Sequence, residues 1–307
     1  CSNGASGSRS QRTFPTRRGG RDSRRTMRMA PKFEMLPTLH RGLPETEPMN
    51  AEQVNEIHEA SMAILEEVGV VFRDPVAIED WKKVGADVRG ERVHLDRKLV
   101  MDLISTLPSS ITYHARNPVN NVELGGKKSI FVPMTGAPYM RDLDDVRRGP
   151  TIADLGTFHK LSHMLPALHS SAHHIVEPMD IVVSHRHLHI TYSSMKHSDK
   201  MFMGMTTSPK NAEDVLDMAE ILFGKNFLET NAVVTGNCNG NSPLVWDQTM
   251  LGAMRAFNRR NQPVLCSPFV LGGANTPAST AAAVARSEEH TSELQSHSFI
   301  SYAVFCL

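Results

Sequence analysis

Apolar residues recur at helical spacing in the first third of the chain and in short runs separated by helices thereafter. Val54, Ile57, Ile64, Leu65 and Val68 form one stripe. Asn50 caps that helix, Gln53 stands three residues on as reciprocal partner, and Gly69 ends it. Asp74-Pro75 opens a second helix, cap followed by first-turn proline, that stops at Gly85. A third runs from Asp96 to Leu107, with Leu99, Val100, Leu103 and Ile104 apolar and Pro108 as the stop. Arg92 to Leu95 alternates like a strand between them. Residues 35–110 therefore read as a mostly helical N-terminal region.

Short strands follow at Ile111 to His114, Asn121 to Leu124 and Ser129 to Pro133, with Gly125-Gly126 as a hairpin turn. The pattern then becomes rhythmic. Strand-like runs fall at Ile130–Val132, Ala172–Val176, Met201–Met203, Ala232–Thr235 and Val264–Cys266. Helices fall between them: Thr151 to Leu165, Val183 to His197, Ser208-Pro209 to Phe223, and one opened by Asp247 carrying Leu251, Met254 and Phe257. Strand and helix alternating in this way predict a parallel α/β architecture. Doubly wound sheets and barrels share the rhythm. About five strands are present where a (β/α)8 TIM-type barrel needs eight, so over residues 111–285 an incomplete barrel, about the first half, fits the rhythm alongside a doubly wound sheet.

Charge changes the picture at the N-terminus. The chain of 307 residues is formally neutral, yet Arg9, Arg12, Arg17, Arg18, Arg21, Arg24, Arg25 and Arg28 precede residue 30 against Asp22 alone. Residues 1–34 are expected to be a disordered basic arm. Its charge also opens the alternative of a non-enzymatic nucleic-acid binder. Cys1, Cys238, Cys266 and Cys306 show no metal or redox spacing, which points to a reducing, cytoplasmic setting. No run reaches the roughly 18 apolar residues that would span a bilayer, so no membrane is expected as a partner. The first residue is Cys rather than Met, which suggests a fragment. From Arg286 to His297 the chain resembles the translation of a synthetic sequencing adaptor, and residues 286–307 are expected to be a non-native tail.

Several segments carry a family resemblance. They are Ile57-His58-Glu59-Ala60 through Leu65-Glu66-Glu67-Val68-Gly69; Tyr113-His114-Ala115-Arg116-Asn117-Pro118 followed by Val122-Glu123-Leu124-Gly125-Gly126; and Gly136-Ala137-Pro138-Tyr139. Arg186-His187-Leu188 and His197-Ser198-Asp199-Lys200-Met201-Phe202 come next. Asn241-Ser242-Pro243-Leu244, Gln262-Pro263-Val264 and Ser267-Pro268-Phe269 close the series. In order and spacing, over roughly Pro37 to Ala285, these resemble the trimethylamine methyltransferase family. The resemblance implies a (β/α)8 barrel that binds a tertiary or quaternary amine. It would pass a methyl group to the Co(I) centre of a corrinoid held by a separate corrinoid protein, with no cofactor bound directly. Some members carry pyrrolysine in the second half of the barrel. A homo-oligomer is left open.

Holding a methylated ammonium favours aromatic faces and carboxylates, placed in a barrel at the strand C-terminal ends, while asparagine amides can bond a substrate carboxylate or carbonyl. Tyr139 and Asp142 follow the first strand of the rhythm, and His173 and His174 lie on the second, leading to Glu177. Asn237, Asn239 and Asn241 follow the fourth, and Phe269 the fifth. Each has a blander reading: a packed tyrosine in a turn, asparagines bonded to their own loop, a core aromatic. Cys238 and Cys266 read as buried small hydrophobes. Catalytic residues are not assignable from the sequence.

Histidines crowd residues 159–197, with His159 and His163, and His185 and His189, at helical i, i+4 spacing. A metal-dependent (β/α)-barrel hydrolase using His159–His197 is the alternative they raise. No HExxH or HxxEH pattern occurs, and no metal is expected. Walker, GxGxxG-after-strand and GxSxG motifs are absent as well.

Overall fold

The computed structural model describes residues 35–43, 47–241, 243–268 and 270–291, the stretch 286–291 by backbone alone. The basic arm lies outside them, as do Phe269 and residues 292–307. In order, the elements begin β1 (Leu39–His40), α1 (Ala51–Ala63), β2 (Val70–Arg73), α2 (Pro75–Lys83), β3 (Asp87–Arg89), β4 (Arg92–His94) and α3 (Arg97–Ile104). Next come β5 (Ser110–Tyr113), β6 (Val122–Gly125), β7 (Lys128–Ser129), β8 (Met140–Arg141), β9 (Arg147–Arg148), α4 (Ile152–Met164) and α5 (Val183–His197). The last are β10 (Phe202–Met203), α6 (Pro209–Phe223), α7 (Lys225–Thr230), β11 (Val234–Gly240), β12 (Val245–Asp247), α8 (Gln248–Arg259), β13 (Val264–Pro268) and α9 (Thr280–Thr291).

The helix starts follow local chemistry. Asn50 and Gln53 form a reciprocal capping box on α1, and Thr151 and Asp154 do so on α4. Asp74, Asp96, Ser208 and Asp247 each accept from a backbone N–H one turn in. A π-helical turn, Ile64–Val68, ends α1, and Gly69 follows at φ +70. A side chain there would meet the Val93 carbonyl oxygen at 2.6 Å, so this turn requires glycine.

The N-terminal region is less helical than its periodicity predicts. It carries β2, β4 and β3, which with β12 make a four-stranded sheet in the order β12-β2-β4-β3. Both β2 and β3 are short; β2 pairs with the distant β4 and β12, and β3 forms a tight hairpin with β4. β12 comes from the loop after β11 and pairs in parallel with β2. The Asp74 carboxylate, fully buried, forms an ion pair with Arg255 of α8. A second sheet, β1-β7-β6-β5, is antiparallel.

The remainder is a parallel arc. Ala137 bridges Val176, Ser170 bridges Met201, β10 pairs with β11, and β11 pairs with β13, all in parallel. Five chain segments thus lie side by side in sequence order with helices between them. No barrel closes among the described residues. The expected strand at Ile130–Val132 is irregular, although Phe131 still accepts from the His169 N–H at 2.8 Å. Pro133 and Pro138 lack donors there, and Gly136 turns at φ +86. The expected strand at Ala172–Val176 is reduced to bridges because Ala172 adopts φ +56.

Helices α6 and α8 cover one face of the arc. Val215, Leu216, Ala219, Leu251, Met254 and Phe257 pack there against Val234, Cys238, Val264 and Cys266. Phe257 occupies a slot left by two glycines on adjacent segments. A Cβ on Gly204 would come within 2.9 Å of its ring, and one on Gly236 within 3.3 Å. Burying such a ring stabilises the arc by about 2–3 kcal/mol. α9 seats on α1, where the buried Ser61 hydroxyl donates to the Ala285 carbonyl at 2.8 Å. Its backbone continues as helix through position 286 to Thr291.

Candidate functional site

Alternation along β11 decides which side chains face the open side of the arc. Gly236 and Cys238 lie toward α8, the Cys238 thiol 3.8 Å from the Met250 carbonyl. Asn237 and Asn239 therefore face the other way, half-buried and exposed respectively. Register places Asn239 beside Ser267 on β13. The Ser267 hydroxyl donates to Asn239 Oδ1 at 2.5 Å and reaches Asn237 Oδ1 at 3.4 Å. On the neighbouring segment Gly204 points toward Phe257. Met203, in register with Thr235, thus shares the face of Thr235 and Asn237 and is buried there. Thr206 donates from its hydroxyl to the Asn237 carbonyl. The face combines the amides of Asn237 and Asn239, the hydroxyls of Thr235 and Ser267, and the buried thioether of Met203.

A second polar group sits on segment 169–177. His173 is buried, and His174 is half-buried with its ring edge-to-face on His173 at 4.1 Å. Both Nδ1 atoms lack a hydrogen-bond partner. Burial holds both imidazoles below the ordinary histidine pKa, with the neighbouring histidines adding to the effect on His173. The left-handed conformation of Ala172 just before them costs about 1–2 kcal/mol for a non-glycine residue. Glu177 is engaged by Arg186, whose Nη1 donates to Oε1 at 2.8 Å.

Other residues singled out from sequence have local partners. Tyr139 is 55% exposed, and its ring face already carries the Arg147 guanidinium at 4.1 Å. Asp142 accepts from the Asp144 and Val146 N–H groups and from Arg148, shaping the β8–β9 hairpin. Those bonds hold its carboxyl below the usual carboxylate pKa. Asn241 donates to Asp247 Oδ2 at 2.6 Å and bridges Val245, which places it in the turn into β12. Phe269 lies outside the described residues.

The histidines do not assemble. His159 bonds Ser193 and the His173 carbonyl, His163 pairs with Asp199 at 3.3 Å, and His187 pairs with Asp214 at 2.9 Å. His185 and His189 are exposed on α5. Among the described residues no three His, Cys, Asp or Glu side chains converge as metal ligands. Nor is any described helix long and apolar enough to cross a membrane.

Two buried residues that the sequence did not single out as individuals explain parts of its motifs. Gln262 accepts at Oε1 from the Val233 N–H at 2.9 Å and donates from Nε2 to the Leu228 and Asn231 carbonyls. Lys200 donates to the Ser162, Leu165 and Leu168 carbonyls, satisfying the end of α4.

The profile of the family described as trimethylamine methyltransferase (MTTB) matches residues 17–293. The chain belongs to the trimethylamine methyltransferase family. The match begins inside the basic arm and ends inside the segment expected to be a foreign tail. A glycine betaine methyltransferase of Desulfitobacterium hafniense (strain Y51) is 40% identical over 240 residues, 78% of this chain and 50% of that protein. A proline betaine:corrinoid methyltransferase of Eubacterium limosum is 25% identical over 70% of this chain and 46% of its own length. A trimethylamine methyltransferase MttB of D. hafniense (strain DSM 10664 / DCB-2) is 27% identical over 63% and 40%. This family member thus spans about half the length of the curated relatives it matches. Its fold is similar to that of the monomethylamine methyltransferase MtmB of Methanosarcina barkeri, with TM-score 0.55 at 10% identity over 86% of this chain and 54% of that one.

Proposed function

We propose that, at the length of its relatives, this protein transfers a methyl group from a methylated amine to a corrinoid carried by a partner protein. The amine is trimethylamine or a betaine-like quaternary amine. The parallel arc is then the first part of a (β/α)8 barrel, and the exposed side of β11 and β13 faces its interior. The family match over residues 17–293 carries this reading.

The chemistry asks little of the protein in proton transfer. Displacement at a methyl carbon of a quaternary ammonium, or of trimethylamine bound as its N-protonated cation, releases a neutral amine, so no general acid acts in the transfer itself. The corrinoid supplies the Co(I) nucleophile. The chain's own residues hold and orient a cation and keep water from it. Asn237, Asn239 and Ser267 offer oxygen dipoles without a full charge, which suits a cation that must later leave neutral. Met203 adds polarisable, shape-tolerant wall. His173 and His174, held neutral by burial, provide hydrogen-bonding edges without repelling a cation. Tyr139 and Asp142 would contribute only after their hairpin contacts with Arg147 and Arg148 are exchanged.

Calorimetric titration with trimethylamine, glycine betaine and 3,3-dimethylbutanoate, the isostere of glycine betaine that is uncharged at the ammonium position, tests the binding step. Saturable binding of an ammonium ligand, weakened roughly tenfold in Asn239→Ala by loss of about 1.4 kcal/mol, is expected. Equal binding of the isostere would contradict the reading.

A further inference from the structure

Segment 169–177 is bent and strained at one point, and a buried polar layer surrounds that point. Ala172 stands at φ +56. Its N–H donates to Ser170 Oγ at 2.9 Å, and its carbonyl accepts from the Ser194 hydroxyl at 3.4 Å. Ser194 in turn lies 2.8 Å from the Ser171 hydroxyl. One residue further on, the His173 carbonyl lies 2.7 Å from His159 Nε2, and His159 Nδ1 lies 3.0 Å from the Ser193 hydroxyl. All of these side chains are buried. A carbonyl only accepts, so Nε2 carries the proton and Nδ1 accepts from Ser193. The tautomer of His159 is therefore fixed by its two partners.

The geometry points to His159 as a positioning residue: with Ser193 it anchors the His173 carbonyl just beyond the bend at Ala172, and so sets His173 and His174 edge-to-face with both Nδ1 atoms unspent. This rests on the reading of His173 and His174 as substrate-binding groups. His159 belongs to α4 and bonds only the backbone of His173 and a hydroxyl of α5, so it acts through the pair and not on a ligand. Burial keeps its imidazole neutral, with the pKa pulled down to about 4, which preserves the single N–H that the carbonyl needs. The strain also makes sense in these terms. An unfavourable backbone conformation persists where surrounding bonds over-determine it, and such places cluster at ligand-binding elements.

The test uses the full chain labelled with 15N-histidine, with His159→Phe, His159→Gln and Ser193→Ala variants. His159→Phe should move the imidazole 15N resonances of both His173 and His174. It should also raise the Kd for glycine betaine or trimethylamine about tenfold. Gln carries an amide N–H that can reach the same carbonyl, so His159→Gln should restore both readings. Ser193→Ala releases the tautomer and should shift the same resonances, which keeps the test open if the Phe variant does not fold. Unchanged His173 and His174 resonances in a folded His159→Phe or Ser193→Ala protein would overturn the proposal. So would a Gln variant that regains the wild-type melt without regaining those resonances. A wild-type protein that binds no methylated amine defeats the substrate reading; the resonance shifts then still decide whether His159 positions the pair.

Discussion

Asn120 donates from Nδ2 to Oδ1 of Asp199 at 2.7 Å, joining two segments far apart in sequence. Asn117 donates to the other carboxylate oxygen at 3.1 Å, and Arg116 donates to the Met195 and Ser198 carbonyls. The motifs around Arg116-Asn117-Pro118 and Ser198-Asp199-Lys200 are thus two halves of one clasp at the start of the segment that carries Met201. Asp199→Ala should cost on the order of 2–3 kcal/mol by stranding both amides. Urea unfolding should show a lower midpoint with an unchanged slope.

Gln262 acts as a substitute for missing backbone pairing at the start of β11. Its amide joins the Val233 N–H to the Leu228 and Asn231 carbonyls while fully buried. Gln262→Leu keeps the volume and removes every one of those bonds. A loss of about 2–4 kcal/mol is expected, read as a lower melting midpoint.

Asp74 and Arg255 tie the N-terminal region to α8 across a buried ion pair. Asp74→Ala leaves the guanidinium without its carboxylate and removes the cap of α2. The expected loss is about 3–5 kcal/mol. Replacing both residues by apolar side chains should cost less than the single change, and a double-mutant cycle measures the difference.

Burial lowers the His159 pKa from 6.5 to about 4 in the folded chain. Between those values the unfolded state binds a proton that the folded state does not. Stability therefore rises with pH through this window: it is fully present above about pH 6.5 and is lost as pH falls toward 4, by about 3 kcal/mol in all. Melting midpoints measured from pH 7.5 to 4.5 should fall accordingly. The slope should flatten in His159→Gln.

Helix starts were legible because a cap is a local event. Asn50 with Gln53, Asp74, Asp96, Thr151 with Asp154, Ser208 and Asp247 all cap where their sequence says. The first two segments of the arc were only half legible. Their apolar runs read as strands, but Pro133 and the φ of Ala172 break them, and that φ is held by the local Ser170 and by Ser194 from α5. In the candidate site, Asn237 and Asn239 read as loop residues after a strand ending at Thr235, but β11 runs on to Gly240, and its alternation puts both on one face. Asp142 and Asn241 share their composition, yet their partners are loop neighbours, a distinction that residue type alone does not carry. Met203 carries no signal of its own in the sequence, and only the register of β10 and β11 places it on the face of the amides.

The central claim is methyl transfer from an amine to a corrinoid. The protein at the full length of its relatives, mixed with a reduced Co(I) corrinoid protein, is given glycine betaine or trimethylamine in turn while the cobalt absorption spectrum is followed. Appearance of the methyl–cobalt spectrum with one of these amines, dependent on the protein and slowed in Asn239→Ala, is the expected result. A Co(I) spectrum that persists with every methylated amine would contradict the account.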